Sequence, residues 1–282
     1  MTAREDGTHV VLAIRAALKN LDFDRPLACD WHERIAVNSG ALNAVFFHVT
    51  GKGKHPAVKS GAIDYLKVLE VAVLAAKKVR PDTSVVVLTN ETTDIPIAGV
   101  QVVRLPADPE HMMYSRMRAY RAVARKLEGL ILFLDTDVCL NRDFTPMFKG
   151  EFYIGLTYRL DDSFMPINEG LIMGRAGPGL NRFFDQALHT YNCLAELPEV
   201  KAAFPLDPRM WRGGQLTLAA MMDWWRPDEG ILDVSTREVR YRVLPCERYN
   251  YPVKGSEPAE TLANKWALHF KGGEAKRKMG IV

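Results

Sequence analysis

The chain has 282 residues, of which 48% are hydrophobic and 25% are charged, as is typical of a folded protein with a sizeable core. Its net charge of +3 gives no indication of nucleic-acid binding. No apolar run approaches the roughly 18 residues that cross a bilayer, and the N-terminus lacks the pattern of a signal peptide. The four scattered cysteines form no CxxC pair, which indicates free thiols in a reducing compartment. We therefore expect a cytoplasmic protein, with loose attachment to a membrane surface left open.

The first predicted element is an amphipathic helix over residues 8–21, with Thr8 as its N-cap. Its apolar face must be buried, either on the rest of the chain or on a second copy in a homo-oligomer, and we favour the rest of the chain. Residues 1–40 are interpreted as an N-terminal helical extension, and residues 41–282 as the main domain.

Strands and helices then alternate through the first 150 residues. Apolar runs predict strands at 44–50, 84–88, 100–104 and 130–134, and helical periodicity predicts helices over 62–79 and 112–127. The second half is less regular, with strands expected at 152–157 and 170–173 and helices over 179–195 and 214–224. Such a pattern predicts an α/β fold with a mostly parallel central sheet flanked by helices.

The most informative motif follows the buried strand at 130–134, where Asp135 and Asp137 lie one residue apart. Ligands bind at the carboxyl ends of strands in open α/β sheets. Two acids packed together repel each other and are costly to desolvate unless a cation holds them, and Mg²⁺ or Mn²⁺ suits their oxygen ligands. The same pattern at Asp22-Phe23-Asp24 follows no apolar strand, so we expect it on a solvated turn.

Three later segments carry polar groups suited to chemistry. Asn168-Glu169-Gly170 precedes an apolar run, and Gly213-Gly214-Gln215 opens a predicted helix. His269-Phe270-Lys271-Gly272-Gly273 combines a potential metal ligand, a cation for phosphate and backbone N–H groups. Simpler interpretations stay open, since the asparagine also suits a turn and the histidine also suits a core.

Taken together, the motifs resemble those of GT-A fold nucleotide-sugar glycosyltransferases, in particular the retaining family that contains glycogenin and bacterial lipopolysaccharide galactosyltransferases. The resemblance covers residues 43–276 and rests on the order of four segments: 132–137, 168–171, 214–215 and 269–272. It implies a GT-A (Rossmann-like) fold, with a nucleotide-sugar-binding half at about 41–150. It also implies an acceptor-binding half with a C-terminal closing segment at about 151–282.

The resemblance implies a metal and diphosphate site formed by the acidic pair and a segment near the C-terminus. Asp135, Asp137 and His269 would hold Mn²⁺, or Mg²⁺, against the diphosphate of the nucleotide sugar, and an imidazole ligand favours Mn²⁺. Lys271 and Gly272 would bind the diphosphate itself. Lys276 competes with Lys271 for that role, although its spacing differs by one residue from the family pattern.

Other residues would contact the nucleotide sugar. Arg118 has the best spacing for the family's arginine on the helix before the acidic strand, with Arg121 and Arg116 as alternatives. Asn168 and Gln215 would lie near the transferred sugar as the catalytic pair.

One position departs from the family, which usually has an acid before the glutamine, beside the sugar ring. This chain has Gly214 there, which leaves the sugar and the detailed mechanism open.

The resulting hypothesis is a hexosyltransferase that moves a sugar from a UDP- or GDP-sugar to a hydroxyl of a saccharide, protein or small molecule, with retention. Two alternatives stay open. One is a degenerate nucleotide-sugar-binding protein, because Gly214 replaces the family's usual acid. A phosphatase with an aspartyl nucleophile also uses Asp-x-Asp, but its motif normally lies near the N-terminus and continues with Thr or Val where this chain has Cys139.

Overall fold

The structure is a computed structural model that describes residues 3–25, 27, 31–50, 63–161, 165–203, 213–224, 231–236, 239–272, 275–276 and 279. Cys29 and Gly273, both considered above, lie outside these residues. The described cysteines, Cys139, Cys193 and Cys246, are free thiols.

The first half contains α1 (Ala3–Lys19), β1 (Leu42–Phe47), α2 (Tyr65–Val79), β2 (Ser84–Thr89), β3 (Gln101–Arg104), α3 (Met112–Ala124), β4 (Leu130–Leu134) and β5 (Val138–Leu140). The second half contains β6 (Ile154–Tyr158), β7 (Ile167–Arg175), α4 (Pro178–Glu196), α5 (Pro198–Ala203), α6 (Gly213–Met221), β8 (Leu232–Thr236) and β9 (Val239–Pro245). It ends with α7 (Cys246–Tyr249), β10 (Tyr251–Pro252), α8 (Ala259–Ala263) and β11 (Ala267–His269). Short 3-10 helices cover Trp31–Arg34 and Thr145–Phe148.

The central sheet contains eight strands among the described residues, in the order β3-β2-β1-β4-β7-β6-β9-β8. Strands β1 to β4 pair in parallel, as do β6 and β9. Strand β7 lies antiparallel between β4 and β6. This mostly parallel sheet flanked by helices confirms the predicted fold class. Because β7 runs antiparallel to β4, the first residues of β7 lie beside the carboxyl end of β4, with Leu171 opposite Leu134.

A second, smaller sheet has the order β10-β11-β5. Strand β11 pairs antiparallel with β5, so that His269 lies opposite Val138. The backbone N–H of Phe270 donates to the carbonyl of Asp137 at 2.9 Å. This pairing brings the C-terminal segment to the turn that follows β4.

Strand β4 is buried on both faces, as its unbroken apolar run predicts. Ile131 and Phe133 contribute to one core cluster, and Leu132 and Leu134 to the other. The ring of Phe133 packs against Tyr120 at a centroid distance of 4.8 Å. The acids after β4 are thus anchored by a strand whose last four residues are buried.

Some predicted boundaries were wrong. Strand β7 begins at Ile167, so Asn168 and Glu169 lie within it and not before it, because pairing with β6 extends to Ile167 and Asn168. The three-residue strands β5 and β11 are too short to show a periodic pattern. Asp22 and Asp24 do lie on an exposed turn, as expected, and the backbone N–H of Asp24 donates to Asp22 Oδ1 at 3.0 Å.

Helix α1 packs on the rest of the chain. Its buried residues Val10, Ile14 and Leu18 form a cluster with residues of α4, α5 and α6. The helix begins at Ala3, so Thr8 is not its N-cap, because the polar residues before Thr8 continue the helix without adding an apolar signal. Homo-oligomerisation through α1 stays a prediction, although its apolar face is covered within the chain. None of the helices in the described ranges is long and apolar enough to span a membrane.

The packing of α1 predicts that it stabilises the whole fold. Ile14 is 0% exposed, so Ile14→Ala should lower the free energy of unfolding by about 2–4 kcal/mol. Leu12→Ala is the matched control, because Leu12 is 57% exposed and should change stability by no more than about 0.5 kcal/mol. Urea unfolding measures both. Equal effects of the two variants would show that α1 does not pack on the domain.

Candidate metal centre

Three potential metal ligands converge where β4 ends. Asp135 and Asp137 lie on the turn between β4 and β5, and the backbone N–H of Asp135 donates to the carbonyl of Gly170 at 2.9 Å. His269 is the last residue of β11. One ligand atom from each of the two acids and the histidine lies within 4.8 Å of the others.

Each carboxylate pairs with a cation through one oxygen and faces His269 with the other. Arg116 contacts Asp135 Oδ1, and Lys276 Nζ lies 2.7 Å from Asp137 Oδ2. The remaining oxygens, Asp135 Oδ2 and Asp137 Oδ1, lie 3.8 Å and 3.3 Å from His269 Nε2. Octahedral ligands about 2.1 Å from a divalent cation lie roughly 3 to 4 Å from one another. The three atoms therefore fit one Mn²⁺ or Mg²⁺ ion.

A buried hydrogen-bond chain selects one neutral tautomer of His269. Thr157 Oγ1 donates to the carbonyl of Asn168 at 3.1 Å, so it accepts from Asn250 Nδ2 at 3.0 Å. The carbonyl oxygen of Asn250 then faces His269 Nδ1 at 3.1 Å and must accept its hydrogen. In the neutral imidazole Nε2 then carries the lone pair, which is the form that binds a metal.

The neighbours of Asp137 stabilise its carboxylate. Burial would raise the pKa of Asp137, but His269 and Lys276 outweigh that effect and hold the pKa well below its usual range. Burial would likewise lower the pKa of Lys276, but Asp137 raises it. A cation can therefore bind here without first removing a proton from Asp137.

Gly170 makes room for the histidine. A Cβ atom at this position would lie 2.4 Å from His269 Cε1 and 3.1 Å from Asp135 Oδ2. No side chain fits there without displacing the imidazole, so this glycine is required by space.

A further acid belongs to the same charge network. Glu169 Oε1 lies 2.5 Å from Arg116 Nη2, and both side chains are almost fully buried. Burial raises the pKa of Glu169, and Arg116 opposes the rise. One guanidinium thus bridges Asp135 and Glu169.

The arginines of α3 point in different directions. Arg116 faces Asp135, whereas the guanidinium of Arg118 lies 4.0 Å from the ring centroid of Trp31 and Arg121 pairs with Asp185 at 2.6 Å. Residues two apart on a helix lie about 200° apart around its axis, so Arg116 and Arg118 cannot share a face. The structure therefore places an alternative candidate, Arg116, at the acid pair, and a nucleotide-sugar contact from Arg118 stays a prediction.

Two more cations lie near the acids. Arg159 Nη2 donates to Gln215 Oε1 at 2.9 Å, where Gln215 is partly exposed on the first turn of α6. Lys271 lies in the segment after β11, and its pKa is lowered first by burial and then by the charge of Arg159. Gly272 follows with a positive φ of 79°, which glycine adopts without strain.

Sequence reasoning missed three residues of the site, Thr157, Arg159 and Asn250, and gave no role to Glu169. Neither Thr157 nor Asn250 belongs to a recognisable motif, because each acts through a long-range hydrogen bond. Glu169 did carry a signal, since an acid directly beside an apolar run is unusual in a core.

Comparison with known proteins shows the fold. No protein-family model matches the chain, and no curated protein matches it in sequence. It is similar to the glycosyltransferase GlyE of Streptococcus pneumoniae TIGR4, with 15% identity and a TM-score of 0.50 over 84% of this chain and 56% of that one. A structure of galactosyltransferase LgtC with donor and acceptor sugar analogues has 12% identity and a TM-score of 0.45 over 85% and 97% of the two chains.

At these identities the likeness concerns the fold alone. The chain spans little more than half the length of GlyE. The fold of this chain is that of the GT-A glycosyltransferases, as the sequence resemblance implied.

The geometry predicts that Asp137 is required for metal binding. Asp137→Ala removes one of three converging ligand atoms and should weaken Mn²⁺ binding at least about 10-fold, as measured by isothermal titration calorimetry. Asp24→Ala is the control, because Asp24 belongs to the exposed copy of the motif. Unchanged Mn²⁺ affinity of Asp137→Ala would contradict the assigned site.

The hydrogen-bond chain predicts a second, indirect effect on the metal. Asn250→Ala leaves all three ligands in place but removes the acceptor that fixes the His269 tautomer. We expect roughly 10- to 100-fold weaker Mn²⁺ binding, the size of effect seen for outer-shell partners of metal ligands. Titration calorimetry at several pH values tests this, and Mn²⁺ affinity equal to that of the unmodified protein would show that the tautomer is fixed in another way.

Proposed function

We propose that this protein is a metal-dependent glycosyltransferase that moves a sugar from a nucleotide diphosphate sugar to a hydroxyl acceptor. The observation that carries the proposal is the convergence of Asp135 Oδ2, Asp137 Oδ1 and His269 Nε2 at the carboxyl end of β4. Convergent acids at this edge of an open α/β sheet are suited to a ligand that carries a divalent cation. The GT-A fold agrees with this chemistry.

Asp135, Asp137 and His269 would hold the metal, and the imidazole favours Mn²⁺ over Mg²⁺. When bound, the ion would neutralise the charge that builds on the departing diphosphate. His269 is suited to this role because its Nδ1 hydrogen is directed at Asn250.

The cations around the acids would bind the diphosphate. Lys276 already approaches Asp137, and its flexible side chain can exchange that carboxylate for a phosphate oxygen. Lys271 and the backbone N–H of Gly272 follow β11 and would act on the same group. Arg159 is held towards the site by Gln215. These contacts would orient the diphosphate as a leaving group and stabilise its charge.

The sugar-facing residues and the stereochemistry belong to the same proposal. Asn168 and Gln215 would lie near the transferred sugar, and transfer would proceed with retention, as in the family that the motifs resemble. The nucleotide would be UDP or GDP. The acceptor would be a saccharide, a protein or a small molecule that enters beside the less regular second half.

A nucleotide-sugar panel tests the proposal. UDP-glucose, UDP-galactose and GDP-mannose are incubated with the protein and MnCl₂, and the release of UDP, GDP and inorganic phosphate is measured. We expect slow release of a nucleoside diphosphate from at least one sugar, abolished by EDTA and by Asp137→Ala. In thermal shift, the matching diphosphate should stabilise the protein only with Mn²⁺, by about 2.7 kcal/mol at 100 times its Kd.

Other outcomes identify the alternatives. Release of inorganic phosphate from a phosphomonoester would indicate the aspartyl-nucleophile phosphatase. Metal-dependent binding of a nucleotide sugar without hydrolysis or transfer would indicate a degenerate binding protein. Absence of any Mn²⁺-dependent nucleotide effect would overturn the proposal.

A further inference from the structure

The buried acid Glu169 lies against the start of helix α6. A Cβ atom at Gly214 would lie 2.0 Å from Glu169 Oε2 and 2.1 Å from Oε1. The Glu169 carboxylate therefore occupies the space that any side chain at position 214 would need.

Space is the reason for glycine at this position. Gly214 does not have the positive φ that favours glycine over other residues. A glycine near the start of a helix also costs stability relative to alanine. Glycine at position 214 is explained if the Glu169 carboxylate has to occupy the space beside it.

The fold itself does not require an acid here. Glu169 is 5% exposed within β7, and burying a carboxylate is costly even when it is paired. Asp135 already provides Arg116 with a negative partner. A hydrophobic residue would pack at lower cost, so the presence of the carboxylate indicates a role in the site.

The position of the carboxylate suggests that role. It is joined through one guanidinium to Asp135, a candidate metal ligand. On its other side it touches the residue before Gln215, where the partly exposed surface of the site begins. An acid at this place lies between Arg116 at the metal centre and the first turn of α6, which carries the partly exposed Gln215.

We propose that Glu169 is the sugar-contacting acid of this enzyme, delivered by β7 into the space left by Gly214. This inference rests on the proposed glycosyltransferase function. Its carboxylate accepts hydrogen bonds from hydroxyls of the transferred sugar and stabilises positive charge at the anomeric carbon. It supplies the acid whose absence at position 214 is the main departure of this sequence from the family.

The reaction balances without consuming Glu169. The bond between the anomeric carbon and the diphosphate oxygen breaks, and its electron pair leaves with the diphosphate. The acceptor oxygen forms the new bond to the same carbon and gives its proton to the departing diphosphate. Glu169 stays a carboxylate throughout and acts only by contact with the sugar.

The first test distinguishes contact of Glu169 with the sugar from contact with the diphosphate. Glu169→Gln keeps the shape of the side chain and removes its charge. With MnCl₂, it should bind UDP or GDP within twofold of the unmodified protein, because neither probe carries a sugar. Release of the nucleoside diphosphate from the active nucleotide sugar should fall roughly 10- to 100-fold, the loss expected for a hydrogen bond to a charged group.

The matched control removes another acid paired with arginines of α3. Asp185 pairs with Arg121 and Arg125 away from the metal ligands, so Asp185→Asn should leave both binding and release unchanged. Melting temperatures of both variants show whether either loses its fold.

The second test moves the acid from β7 to position 214 on α6. Gly214→Ala should displace the Glu169 carboxylate and lower release of the nucleoside diphosphate. In Glu169→Ala/Gly214→Asp the carboxylate returns from the helix side, and release should recover at least tenfold over Glu169→Ala. This recovery keeps the inference testable if Glu169→Gln alone is unstable.

The outcomes distinguish the two proposals. Full activity of Glu169→Gln, or equal loss of diphosphate binding and release, would overturn the role of Glu169 and leave the glycosyltransferase function in place. No recovery in the exchange variant, with its fold intact, would do the same. An unmodified protein that neither binds UDP or GDP with Mn²⁺ nor cleaves a nucleotide sugar would overturn both.

Discussion

The site depends on how one edge of the sheet accommodates three carboxylates. Asp135, Asp137 and Glu169 would repel one another strongly if they were buried alone, because two like charges 4 Å apart cost about 4 kcal/mol at the effective dielectric near a protein surface. Arg116 is shared between two of the acids, and Lys276 pairs with the third. This distribution of positive charge offsets the repulsion among the acids and holds the pKa of Asp137 well below its usual range.

The topology supplies these charges from distant parts of the chain. Antiparallel insertion of β7 places Glu169 and Gly170 beside the end of β4, and the small sheet carries His269 onto the turn after it. Each approach is close enough that side-chain volume matters. The two glycines at 170 and 214 therefore act as spatial constraints on the site, one admitting an imidazole and the other a carboxylate.

Sequence reasoning was most successful where a signal is local. The strand at 130–134 was predicted with its observed bounds because an unbroken apolar run is typical of a strand buried on both faces. The convergence of His269 with the acids was anticipated only through the family resemblance. Arg118 was preferred to Arg116 on spacing alone. Spacing along a chain does not show which arginine of a helix faces the acids. The partner of Gly214 could not be inferred at all, since steric exclusion between residues on β7 and α6 leaves no mark in sequence.

The order of the ligands along the chain has a consequence for biosynthesis. The two acids and Arg116 belong to the part of the domain that is translated first, whereas His269 and Lys276 follow every strand of the central sheet. During synthesis the growing sheet can form with Arg116 as the early counter-ion, while the imidazole has yet to emerge from the ribosome. Capture of a metal by all three ligands therefore requires that β11 has been synthesised and has paired with β5.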